Sequence, residues 1–284
     1  KHLRVRINSV KATQKITSAM KMVAASKLRR AQEAAEASRP YAERMERMVA
    51  SIAQTVLGDE TAPKLLRGTG STDRHLIVVA TSDRGLCGGF NGSIIRAVRA
   101  RIGELEQAGA KVSLFPVGRK GIEQLRREYG ESFLAEQAGP GSRGPTYPDA
   151  SAIAQAVMEW FDSGTFDVCE IVYNRFQSAM EQTVTFQQLV PFLGQSSEDS
   201  LPDGAIYEFE PDEEAILEKL LPRNIEVQVF RAMLENGASE HGARMMAMDN
   251  ATRNAGDMID KLSLTYNRAR QAMITTELIE IVSG

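Results

Sequence analysis

The sequence predicts an α/β protein: a long antiparallel coiled coil of the N- and C-terminal helices, with a Rossmann-like α/β domain inserted between them. Three observations carry this. All 22 glycines lie at or after Gly58, and nine of the 10 prolines lie between Pro63 and Pro222. Glycine and proline interrupt helices, so the chain ends are free to be helical and the middle holds the turns. Each end carries an apolar stripe in alternating steps of four and three. The middle alternates strand-like and helix-like segments. These features divide the chain into 1–57, 58–211 and 212–284.

In the first segment the stripe runs Ala24, Leu28, Ala31, Ala35, Ser38, Ala42, Met45, Val49, Ile52, Val56. That is the 3.5-residue repeat of a left-handed coiled coil. Before Ala24 the apolar residues are Leu3, Ile7, Val10, Ile16, Met20 and Val23, which predicts that the stripe shifts around the helix there. Pro40 is expected to kink the helix or weaken one turn.

The C-terminal stripe passes through Val227, Phe230, Leu234, Ala238, His241, Met245, Met248, Thr252, Ala255, Ile259, Leu262, Tyr266, Ala269, Met273 and Thr276. A helix over 223–283 would be about 90 Å long at 1.5 Å per residue. A compact globule of this mass has a diameter of about 50 Å, so the molecule is expected to be elongated. The first helix leads into the middle domain and the last leads out of it, so paired helices must run antiparallel. The last helix is the longer one. Its end, with Met273, Ile274, Leu278, Ile279, Ile281 and Val282, is left without an internal partner and is expected to be enclosed by another protein.

The middle opens with Leu76–Ala80, a continuous apolar run suited to a buried parallel strand. A Gly-rich turn, Ser82–Phe90, leads to a helix over 91–106. A second strand, 111–117, precedes a charged helix reaching Tyr129. Asp149 is expected to cap a helix ending near Phe161. A third strand, 167–173, is followed by an antiparallel partner over 183–190. Residues 140–148 and the acidic stretch 195–204 read as loops. Alternation of this kind implies a parallel sheet with helices on its faces.

Composition narrows the chemistry. A formal net charge of −3 argues against a generally basic nucleic-acid binder. Cys87 and Cys169 are too few for a disulfide framework. No apolar run approaches the roughly 20 residues that span a bilayer, and no signal-peptide core follows the basic start. The chain begins at Lys1 rather than Met, so a few preceding residues are expected to have been removed. Gly85-x-x-Gly88-Gly89 sits where a phosphate loop would sit, but it matches neither G-x-G-x-x-G nor a P-loop. A tight connecting turn is the default reading there, and no cofactor is expected. His2, His75 and His241 lack neighbours at ligand spacing, so no metal is expected. Cys87 reads as a passive thiol. No catalytic constellation is found. The strongest chemical signal is charge: residues 1–30 hold nine Lys or Arg and no Asp or Glu. One-signed charge on a helix implies an acidic partner, and without aromatic residues for stacking a protein is favoured over nucleic acid.

Three motifs give the chain a family resemblance. The run from Ile7 through Thr13-Gln-Lys-Ile-Thr17 and Met22-Val-Ala-Ala-Ser-Lys-Leu28 resembles the N-terminal signature of the gamma subunits of rotary F-type ATP synthases. Ser82-Asp-Arg-Gly-Leu-Cys-Gly-Gly-Phe-Asn91 resembles their Gly-rich loop. Residues 239–254 and 266–284 are similar to their C-terminal signature.

The resemblance implies the central rotor shaft of a proton-translocating ATP synthase, with no active site of its own. It would couple rotation of the membrane c ring to conformational cycling of the beta subunits. Its partners would be alpha and beta subunits, three of each, the epsilon subunit and the c ring, with membrane contact only through that ring. Carried over by motif, Lys21 and Met22 would face acidic beta loops. Arg270, Gln271, Thr275 and Glu277 would meet a beta-subunit catch loop beside an apolar bearing formed by Met273, Ile274, Leu278, Ile279, Ile281 and Val282. Tyr207 and Glu210 would lie in the foot facing epsilon and the c ring. No plastid-type regulatory cysteine pair is present. The implied location is the cytoplasmic face of a bacterial inner membrane, with the matrix side of a mitochondrial inner membrane as the alternative. Two other readings of the residues stand beside this one: a Rossmann-type enzyme with a dimerising coiled coil, and a nucleic-acid binder using residues 1–30.

Overall fold

A computed structural model describes residues 2–56, 62–141, 143–192 and 213–284. In chain order the elements are α1 (His2–Thr55), the single turn α2 (Lys64–Arg67), β1 (Arg74–Ala80), α3 (Phe90–Gln107), β2 (Lys111–Val117), α4 (Arg119–Tyr129), α5 (Tyr147–Asp162), β3 (Val168–Phe176), β4 (Gln182–Val190) and α6 (Glu213–Ser283). The expected loop at 195–204 and the foot residues Tyr207 and Glu210 lie outside the described residues.

The two terminal helices form the rod. Thr252 Oγ1 donates to Thr17 Oγ1 at 2.8 Å, Lys21 Nζ to Asp249 Oδ1 at 2.6 Å, and Arg39 Nε to Glu235 Oε1 at 2.6 Å. Partners on α6 fall in number as those on α1 rise, so the helices are antiparallel. Ala24, Leu28, Ala35, Ala42, Met45, Val49 and Ile52 are buried, as the stripe requires. With 71 residues, α6 is about 105 Å long at 1.5 Å per residue. Beyond Tyr266 every side chain is exposed.

Four expectations concern the helices. First, the α1 stripe does not shift before Ala24. Ile7 and Thr17 are buried and Gln14 is half-buried, so the same face continues. Thr17 bonds across the rod to Thr252, while Val5, Ile16 and Val23 are exposed. Second, Pro40 lies inside the continuous helix α1 and, lacking an N–H, leaves the weakened turn expected of it. Pro40 is exposed, so the carbonyl one turn back that loses its N–H donor can be hydrated. Third, α6 begins at Glu213, at the expected boundary of the last segment and ten residues before the 223–283 stretch used to reckon its length, and passes through Pro222. Fourth, Thr146, not Asp149, caps α5. Asp149 is the third residue of a capping box, and its Oδ2 accepts from Thr146 N at 2.9 Å.

The sheet order is β2-β1-β3-β4, parallel except for β4. The central strand β1 is buried on both sides, which explains its unbroken apolar run. Ile77 and Val79 pack with α3 and α4, against Ile94, Val98 and Leu125. Leu76, Val78 and Ala80 pack with α5 and with Ile225, Val229, Ala232 and Met233 of α6. The C-terminal helix of the rod is therefore also one covering layer of the sheet. The outer edge of β2 is closed by the following loop, where Leu134 N donates to Leu114 O at 3.0 Å and Gln137 N to Pro116 O at 3.0 Å.

Candidate functional site

A Rossmann-like half binds ligands beyond the carboxyl ends of its strands, where backbone N–H groups meet an anion. Here a protein carboxylate takes that position. Asp83 Oδ1 accepts from Arg119 N, the first residue of α4, at 3.1 Å and from Gly139 N at 2.8 Å. Asp83 Oδ2 accepts from Gly141 N at 3.0 Å. The donors that a phosphate would use are thus satisfied internally. The turn is further tied to the rod by Arg244, which ion-pairs with Glu240 at 2.7 Å and donates through Nη2 to Arg84 O at 3.2 Å and Gly85 O at 3.3 Å. Beside it, His241 is pushed down to about 4, first by burial and then by Arg244 and Lys27, so its ring is neutral at neutral pH. Burial pushes the Cys87 thiol up, and Asn91 Nδ2 donates to its Sγ at 3.3 Å. That is the environment of a structural thiol rather than a nucleophile.

A cleft of about 480 Å³ separates this turn from α1. Ile16, Met20 and Val23 line one side, Leu86 the turn, and Glu240, His241 and Arg244 the far wall. Leu86 has φ +63° and is 62% exposed.

The basic stretch is open to solvent. Arg4, Arg6, Lys11, Lys15 and Arg30 are exposed and, among the described residues, form no ion pair within the chain. Lys21 differs: it pairs with Asp249, which also pairs with Arg253 at 3.0 Å, so part of its charge is answered by the rod itself. Met22 beside it is 64% exposed.

At the free end of α6, Arg270, Gln271, Thr275 and Glu277 are all exposed, with Thr275 Oγ1 donating to Gln271 O at 2.9 Å. Ile274, Leu278, Ile281 and Val282 fall on one stripe of that helix, flanked by Met273 and Ile279, and all six are exposed. The polar quartet and the apolar end are therefore brought together on one unpartnered helix. The basic stretch of α1 lies on the rod, and the Gly-rich turn lies where the rod meets the sheet.

A family model described as ATP synthase matches residues 1–284. The ATP synthase gamma chain of Rhodospirillum rubrum is 57% identical, over all of this chain and 97% of its own length. This chain belongs to the ATP synthase gamma chain family. The gamma chain of Paracoccus denitrificans is 55% identical over the same shares. Among solved structures, a chain of the central stalk and c-ring of the Tetrahymena thermophila mitochondrial ATP synthase is 28% identical with a TM-score of 0.64, covering 84% of this chain and 99% of that one. A chain of the Euglena gracilis mitochondrial ATP synthase shares the fold at 22% identity and a TM-score of 0.68, covering 99% and 92%. The rod and inserted domain are those of a gamma chain, and its role is that of the central shaft of the rotary motor.

Sequence reasoning missed one group of gamma-chain residues. Asn224, Gln228, Glu235, Asn236 and Ser239 are buried polar residues of α6. Their signal was present, since 224, 228, 235 and 239 share one face at heptad spacing. That face lies beside the stripe that was read and was passed over.

Proposed function

We propose that this gamma chain is a non-catalytic shaft. Its rod enters a ring of three alpha and three beta subunits, while its α/β domain rests with epsilon on the c ring at the cytoplasmic face of a bacterial inner membrane. The observation that carries the reading is the free end of α6, an exposed apolar helix with a polar quartet at its base. Apolar contact is non-directional, so a collar around such an end holds it against tilting while its energy varies little with angle. The polar residues Arg270, Gln271, Thr275 and Glu277 supply the angle-dependent contacts to a beta subunit. Lys21 and Met22, with the unpaired basic residues of α1, meet acidic beta loops. Solvated ion pairs of that kind are worth about 0–1 kcal/mol each, so they guide the beta loops without locking them.

The shaft can drive chemistry at a distance because its two helices present different side chains in different directions. Each beta subunit meets a different face. A face that contacts the closed beta state better than the open one shifts that subunit's equilibrium by the difference in contact energy. Turning the shaft passes this bias to the next subunit.

The filled anion position at Asp83 and the buried Cys87 support a shaft without chemistry of its own. The test is reconstitution. The isolated chain is expected to hydrolyse no ATP and to bind no adenine or nicotinamide nucleotide stoichiometrically. Added to alpha and beta subunits, it is expected to give stable ATP turnover. ATPase activity of the isolated chain would overturn the proposal, and tight nucleotide binding would favour a Rossmann-type enzyme.

A further inference from the structure

The end of β3 is held in an unusual way. β1 pairs with β3 only from His75–Val168 to Val79–Val172, while β4 continues alongside to Phe176. On the β1 side the last residues of β3 therefore have no strand partner. The polar side chains of the rod take the place of one. Asn174 N donates to Asn236 Oδ1 at 3.0 Å, and Ser239 Oγ donates to Asn174 O at 2.9 Å. Two residues on, Phe176 N donates to Glu235 Oε2 at 2.9 Å, and Arg39 Nη2 donates to Phe176 O at 2.9 Å. Arg39 closes the arrangement with a fork onto Glu235, Nε to Oε1 at 2.6 Å and Nη2 to Oε2 at 3.0 Å. The Glu235 side chain is 1% exposed. One backbone residue of the sheet is thus gripped at both polar groups, by one side chain from each helix of the rod.

We infer that Arg39 and Glu235 are positioning residues that pin α1, α6 and β3 together, so that twist in the α/β domain reaches the rod without the two helices shearing past each other. The inference rests on the shaft reading and adds where torque crosses. A two-stranded rod resists twist only while its strands cannot slide. α6 is fixed because it covers the sheet. α1 is continuous with the domain only at its C-terminal end, and around the pin its other contacts with α6 are long or apolar: Arg231 to Glu43 and Glu46 at 3.7 and 4.0 Å, Gln228 Nε2 to Ala42 O at 3.4 Å, and the packing of Ala35 with Leu234 and Ala238. Such contacts are weakly directional. Charge-assisted, bidentate bonds are strongly directional. Farther along, the Lys21–Asp249 pair is half-exposed and reaches no third element.

The experiment uses the complete proton-pumping complex, held by its beta subunits, with a bead on the α/β domain. The double variant Arg39→Met, Glu235→Gln removes both charges and the fork but leaves an amide oxygen to accept from Phe176 N. Torsional stiffness, read from the angular spread of the bead during a pause, is expected to fall about twofold or more, and protons pumped per ATP against a gradient to fall with it. ATP hydrolysis without a gradient is expected to stay at the wild-type rate. Arg39→Lys, which keeps the charge and loses the fork, is expected to fall between. Wild-type stiffness in the double variant overturns the inference. If the double variant does not assemble, wild-type stiffness in Arg39→Lys overturns it. If the wild-type bead does not turn with ATP, the shaft reading fails and the inference falls with it. A turning wild-type bead with unchanged variants removes the pin alone.

Discussion

Replacing Gly118 by alanine is expected to destabilise the α/β domain by about 4 kcal/mol or more, a large share of the 5–15 kcal/mol that holds a typical domain. Two costs act together. Gly118 has φ +112°, a conformation that residues with a Cβ rarely adopt. A Cβ built there would lie 2.3 Å from Thr81 O and 2.7 Å from Thr81 C. Those are backbone atoms that cannot swing away, because Thr81 N donates to Val117 O at 2.8 Å and Thr81 Oγ1 accepts from Gly121 N at 2.8 Å. The control is Gly130→Ala, where φ is −58° and the nearest atom to a new Cβ is Arg126 Cγ at 3.6 Å. Alanine there is expected to be neutral or slightly stabilising. Calorimetry of the two variants checks the pair, and equal melting temperatures would contradict the geometry.

Leu278→Glu with Ile281→Glu is expected to leave the melting of the isolated chain unchanged and to abolish most of its torque in the complex. Both side chains are exposed here, 56% and 77%, so the isolated fold loses no packing. Inside an apolar collar the change is severe. Each aliphatic side chain gains about 1.5–3 kcal/mol when enclosed, whereas an unpaired carboxylate costs several kcal/mol to bury. ATP-driven proton pumping, measured beside a thermal melt of the isolated chain, separates the two effects. Full pumping would show that no partner encloses the helix end, and a lowered melting temperature would show that the end packs within the chain.

The rod was legible in the sequence because burial repeats every 3.5 residues over a span too long for an ordinary helix. Ala24 to Ile52 and Val227 to Ala255 hold that register along the rod, although Phe176 of β3 also packs against Leu28, Ala35, Leu234 and Ala238. The same rule failed before Ala24 because the seam there is built from Gln14, Thr17 and Lys21, the last two bonded to Thr252 and Asp249 of α6, while apolar Ile16 and Val23 are exposed. The first turns of α6 lie outside the apolar stripe, which was traced only from Val227, after Pro222. Leu217 and Leu221, fully buried with Met45, Val49 and Ile52, hold that turn in helical form by tertiary packing. The α/β order was legible from runs such as Leu76–Ala80. Asp83 as an internal substitute for a ligand anion was not, because Arg119, Gly139 and Gly141 are brought to it only by the fold. For the same reason Arg39 and Glu235, 196 positions apart, gave no sign of being partners.

The central claim is that this chain turns as a shaft within its complex, and rotation tests it directly. With the beta subunits fixed to a surface and a bead attached to the exposed face of α3, ATP is expected to drive the bead in one direction in discrete steps, each beta subunit acting in turn. Steady ATP hydrolysis with the bead fluctuating about one fixed angle would contradict the account.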